Sequence, residues 1–126
     1  MTLSYAEAIA QVTAPGERFE TEEVEIRGSL FTAFKAAPRN LRDLFDLTRG
    51  YGAAEFVVYE DERYTFDALY ESVDGIAAAL QSRYGVAKGD RVAIAMRNYP
   101  EWIMTYLGAV SIGAIVVSMN AWWTPY

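Results

Sequence analysis

Asn98 and Asn120 each stand just beyond an uncharged apolar run, VAIAM at 92–96 and AIVVSM at 114–119. A carboxamide offers two donors and an acceptor, so two of them at one sheet edge can orient a polar substrate. The plainer reading, that each amide caps a helix or shapes a turn, is open for both. Little else in the chain could carry out chemistry. His and Cys are absent, so no Ser–His or Cys–His nucleophile pair and no histidine or thiolate metal site can be assembled. Neither a G-x-x-x-x-G-K-S/T phosphate loop nor a G-x-G-x-x-G turn occurs. Asp67 and Glu71 stand four residues apart and read as a solvated helical face. Glu17, Glu20, Glu22, Glu23 and Glu25 read as a solvated edge. The sequence therefore offers no catalytic group and no metal-ligating set of its own.

Composition narrows the class of function. The chain has 126 residues, 52% of them hydrophobic and 22% charged, which suits one globular domain with a real core. A net charge of -6 argues against nucleic acid as a partner, because phosphate contacts need a basic face. The lack of cysteine permits a reducing compartment, and the start MTLSYAEAIAQ has no basic n-region followed by a long apolar run. Cytoplasm is the expected location. No charged side chain follows Glu101, so residues 102–126 pass a crude length test for a membrane span. Gly108, Gly113 and the polar Ser111, Ser118 and Asn120 argue against that reading.

The elements that must place the two amides follow from pattern. Ser4 with Glu7 makes a capping box for a helix over Tyr5–Val12, ended by Pro15 and Gly16. VEIRGSLFTAFK reads as a hairpin around Gly28. After Pro38, Asn40 caps a helix whose apolar side is Leu41, Leu44, Phe45 and Leu47. EFVVYEDERYTF reads as two strands about a charged turn, and Thr65 caps the helix that follows. Phe66, Leu69, Val73, Ile76, Ala77, Leu80 and Tyr84 form its apolar stripe, and Gly85 stops it. The two apolar runs read as parallel strands covered on both faces. They are joined by a helix with Pro100 in its first turn and Trp102, Ile103, Tyr106, Leu107 and Val110 facing inward. Gly108 is expected where that helix approaches the sheet.

The expected fold is α/β, the start of a doubly wound sheet: a β-hairpin followed by a right-handed β-α-β unit, incomplete as it stands. Residues 1–38 read as an amino-terminal extension and residues 39–126 as the first part of a larger domain. Ligands of open α/β sheets bind beyond the carboxyl ends of the strands, where Asn98 and Asn120 should lie. Trp122 and Trp123 suit a core or interface role, or the wall of an apolar tunnel, the first being plainer. A last strand with no neighbours to come, followed by two tryptophans, reads as a truncated piece.

At this point the residues resemble a known family. Thr65-Phe66 with Leu69, Gly85-Val86, Gly89-Asp90-Arg91-Val92-Ala93, Asn98 with Glu101-Trp102, Gly113-Ala114-Ile115-Val116 and Asn120 look like the amino-terminal part of the adenylate-forming synthetases. These include acyl-CoA synthetases, luciferase and peptide-synthetase adenylation domains. The leading segment resembles the front of fatty acyl-CoA ligases. Ser118 and Ala121 stand where prolines are usual in the family.

The resemblance implies that the complete enzyme uses ATP, Mg²⁺ and coenzyme A to convert a carboxylic acid, with a fatty acid the expected class, to an acyl-adenylate and then to acyl-CoA. The family's phosphate loop and carboxy-terminal lysine are absent here, so the segment alone is expected to be inactive, with no cofactor of its own. In some relatives the loop matching Asn120 and Ala121 approaches the coenzyme A side, which makes Asn98, Asn120 and Ala121 the candidate substrate-proximal residues. The expected partners are the rest of its own chain and the substrate, with an oligomer permitted. Two further readings remain open: a non-catalytic α/β interaction module completed by a partner, and a protein anchored by its uncharged tail.

Overall fold

Local capping chemistry places the helices where the sequence puts them. In the computed structural model, which describes residues 3–120, 122 and 123, helix α1 (Tyr5–Val12) carries the full Ser4–Glu7 capping box. The chain divides into two units, Met1–Arg39 and Asn40–Tyr126. In the first, α1 is followed by an antiparallel hairpin of β1 (Thr21–Ile26) and β2 (Ser29–Phe34). Arg27 and Gly28, both at positive φ, turn the hairpin. The Lys35 ammonium donates to the Glu20 carboxylate at 2.8 Å at its open end.

The second unit begins with α2 (Leu41–Asp46), whose N-cap Asn40 accepts from the Asp43 N–H at 2.9 Å. A 3₁₀ turn over Leu47–Tyr51 follows. Strands β3 (Glu55–Tyr59) and β4 (Glu62–Thr65) pair antiparallel. Thr65 caps the long helix α3 (Phe66–Tyr84), and Gly85, at φ 66°, closes it in the left-handed conformation. Strand β5 (Arg91–Ile94), helix α4 (Pro100–Ser111) and strand β6 (Ile115–Ser118) complete a β-α-β unit with β5 and β6 parallel.

The core lies between α3 and α4, where Leu69, Tyr70, Val73, Met104 and Leu107 form one buried cluster. The Tyr70 hydroxyl is 2.7 Å from both the Phe45 carbonyl and the Thr48 hydroxyl. Arg49 stacks 4.1 Å from the Tyr70 ring centroid and donates to both Asp74 oxygens, at 3.1 and 2.7 Å, which fastens the 3₁₀ turn to α3.

Four side-chain expectations are corrected. Tyr84 is 75% exposed, because α3 outruns its partner there, and Tyr70 joins the stripe instead. On α4 the buried positions are Pro100, Met104, Leu107, Gly108 and Ala109, while Trp102 and Tyr106 are half-buried and stack on each other, Tyr106 also packing against the core. Gly108 meets α3, not the sheet: a Cβ there would stand 2.9 Å from Ile76 Cγ2 and 3.2 Å from the Val73 carbonyl oxygen. The β5–β6 pair is covered on one face only. Ile94 is buried, but Ala93, Ile115 and Val117 are exposed among the described residues. Among the described residues the strands form three two-stranded sheets, an incomplete α/β arrangement. No helix among the described residues is long and apolar enough to cross a membrane.

Candidate functional site

Parallel pairing brings the two amides together. Ile94 lies beside Ser118, and the Met119 N–H donates to the Ile94 carbonyl at 3.0 Å, so both strands end at one edge. Asn98 lies in the loop from β5 to α4, and Asn120 follows β6. Both line one open cleft of about 570 Å³, walled by Met96, Arg97, Trp102, Met119, Trp122 and Trp123. Ala121, the third candidate residue, lies outside the described residues.

The amides are engaged differently. Asn120 Oδ1 accepts from the Trp122 N–H at 2.9 Å, and its carbonyl accepts from the Trp123 N–H at 3.1 Å. This is a side-chain-stabilised turn, and among the described residues the Asn120 NH₂ has no acceptor. Asn98 does not cap α4. The N-cap is Tyr99, without a capping side chain, and Pro100 opens the helix. Among the described residues the exposed Asn98 amide has no hydrogen-bond partner.

The charged residue at the site is one the pattern reading passed over. Arg97, the last basic residue of the chain, places its guanidinium carbon 4.4 Å from the Trp122 ring centroid. Among the described residues no carboxylate lines the cleft, so it holds no general acid or base. Nor does any acidic cluster among them form a metal-binding group. Arg97 would repel a divalent cation, so these residues do not fit Mg²⁺, and no step through that ion is assigned to them.

A second, apolar groove of about 330 Å³ adjoins the first through Asn98 and Trp102, with Val57, Tyr59, Tyr99 and Ile103 along it. Partial burial, then the fields of Glu60, Tyr99, Glu62 and Glu101, hold the Tyr59 phenol above its ordinary value. It is a neutral hydroxyl at physiological pH.

The family model for AMP-binding enzymes matches residues 44–126, which include both strands, α4 and every residue of the cleft. The chain belongs to the AMP-binding enzyme family. It is similar to the crotonobetaine/carnitine–CoA ligase of Salmonella paratyphi A, 35% identical over 89 residues, which are 66% of this chain and 17% of that protein. Among solved structures it resembles the N-terminal subdomain of Klebsiella oxytoca NpsA bound to 3-hydroxybenzoyl-AMSN, with a TM-score of 0.65 and 27% identity over 69% of this chain and 22% of that one. It also resembles a mutant form of coronafacic acid ligase from Pectobacterium brasiliense, with a TM-score of 0.62 and 28% identity over 67% of this chain and 17% of that one. The chain thus spans about one sixth of the length of the curated relatives it matches. This AMP-binding family chain shares its fold with the N-terminal subdomain of adenylation enzymes, and its incomplete sheet accords with that share of their length.

Proposed function

We propose that this chain is the amino-terminal segment of an AMP-forming acid–CoA ligase, with residues 1–38 as an extension and residues 39–126 as the first part of the AMP-binding domain. The complete protein would join a carboxylate to ATP's α-phosphate, release pyrophosphate, and pass the acyl group to the thiol of coenzyme A. Fatty acids are the first substrate class to test, on the resemblance of the leading segment. The observation that carries the reading is the family match over residues 44–126, supported by 35% identity over 89 residues to a CoA ligase. The cysteine-free composition is compatible with a cytoplasmic enzyme.

The segment's own part is positional. Asn98 and Asn120 line the cleft at the carboxyl ends of β5 and β6, where they would donate to polar atoms of a bound acyl group or thiol carrier. Chemistry would come from groups outside this chain, because activation of a carboxylate needs an array of phosphate-stabilising donors, and among the described residues the cleft offers the single guanidinium of Arg97. The segment by itself is therefore inactive on this reading.

The test extends the open reading frame past Tyr126, purifies the product, and measures carboxylate-dependent ATP–pyrophosphate exchange over a panel of straight-chain and aromatic acids. Exchange with the extended protein and none with the 126-residue chain is the expected result. A stop codon directly after Tyr126, or an extended protein inactive with every acid while binding another protein, would sink the proposal and favour the interaction-module reading.

A further inference from the structure

We propose that Arg97 is a positioning residue: its guanidinium fixes the Trp122 indole as one wall of the cleft and so sets which carboxylates the site accepts. The proposal rests on the ligase reading above. Arg97 follows β5 and Trp122 follows β6, so their contact ties together the two loops that leave the parallel strands. Among the described residues little else holds the indole, which is 73% exposed. Its backbone is pinned to the Asn120 side chain, but that bond leaves the ring free to rotate. The guanidinium carbon 4.4 Å from the ring centroid is the contact that selects one orientation.

No ion pair to Arg97 competes with this stacking among the described residues. A planar guanidinium stacks on an indole face in a way an ammonium cannot, so Lys is not an equivalent here. For an exposed pair the attraction favours the held orientation by about two- to five-fold, enough to bias the wall without locking it. The held indole gives the cleft one apolar, flat side beside Met119 and the Asn98 amide. Without Arg97 the ring would leave that side open to longer or bulkier acyl groups.

The experiment has two readouts. In the chain carrying Trp102→Phe and Trp123→Phe, Trp122 is the sole tryptophan, and acrylamide quenching reports its exposure. Arg97→Met should raise the quenching constant modestly, by up to about 1.4-fold because 73% of Trp122 is exposed already, with Arg97→Lys falling between, at unchanged far-ultraviolet dichroism. In the extended enzyme, Arg97→Met should change KM for the carboxylate by about two- to five-fold with kcat nearly constant, and should alter the ratio of KM between short and long acids. Unchanged quenching in Arg97→Met overturns the positioning role. Raised quenching with unchanged KM overturns its reach to the substrate and leaves the ligase reading intact. An extended protein without activity sinks the ligase reading, and with it the substrate half of this proposal, while the quenching result still decides whether Arg97 holds the indole.

Discussion

The helical layer and the strand pairs of this chain are built from equally apolar sequence and end in opposite conditions. Between α3 and α4, Leu69 is 0% and Val73 1% exposed. In the strand pairs, Phe31, Ile115 and Val117 keep between 44% and 51% of their surface. The difference lies in where each element finds its neighbours. An amphipathic helix buries its stripe against one partner, and α3 and α4 supply that to each other. A strand has two faces and two edges to satisfy, so a pair alone closes only part of each. In this chain, then, the helix pair closes its core on itself, whereas each strand pair keeps an open face.

The contrast can be broken from either side. Leu69→Ala should have the largest effect, destabilising the unit by about 2–5 kcal/mol in urea unfolding, because a fully buried side chain leaves a cavity between two helices. A loss below ~1 kcal/mol would mean that the α3–α4 interface relaxes freely and is no true core. Next comes Gly108→Val, expected to cost about 1–3 kcal/mol, since its Cβ would stand 2.9 Å from Ile76 and 3.2 Å from a backbone oxygen that cannot move aside easily. Thermal melts of Gly108→Ala and Gly108→Val side by side should show the larger residue losing more, and equal midpoints would remove the close-approach argument.

On the strand side, Val117→Thr should shift stability by no more than about 0.5 kcal/mol, because 44% of Val117 already meets solvent. A cost matching that of Leu69→Ala would show the bare face to be covered in solution, by self-association for example. Light scattering over a concentration series would then separate that case from a monomer.

The smallest effect concerns pH and the β1–β2 pair. The Lys35 ammonium, then the Gly16 N–H, holds the Glu20 carboxyl below its ordinary value of 4.5, and the same carboxylate raises Lys35 above 10.5. Glu20's contribution is thus present at neutral pH and fades as pH falls through its lowered folded value. That of Lys35 is present below 10.5 and is lost in stronger alkali, above its raised folded value. Cross-strand NOEs between Thr21 and Phe34 should weaken at both extremes, and Glu20→Gln should abolish the acid limb. NOEs that hold constant through both limbs would show that the ion pair does not order the hairpin.

What the sequence determined by itself was whatever depends on atoms a few residues apart. Ser4, Asn40 and Thr65 each accept a hydrogen bond from a backbone N–H three residues on, and Gly85 takes the left-handed cap. These choices are sealed by contacts within one turn, so the start of three helices and the end of α3 were legible. The parallel pairing of β5 and β6 was legible too, because two unalternating apolar runs around a helix leave few other arrangements. The tertiary structure decided which side chains each element turns inward. Met104 and Leu107 fill the α4 side of the core, with Ile103 and Tyr106 packed against it, and Gly108 stands where α4 meets Ile76 and the Val73 carbonyl of α3. It also decided that Asn120 folds back on its own turn while Asn98 stays open, and that Arg97 meets Trp122. The last of these contacts joins residues more than twenty positions apart, and its geometry is fixed only when the strands carrying them are laid side by side.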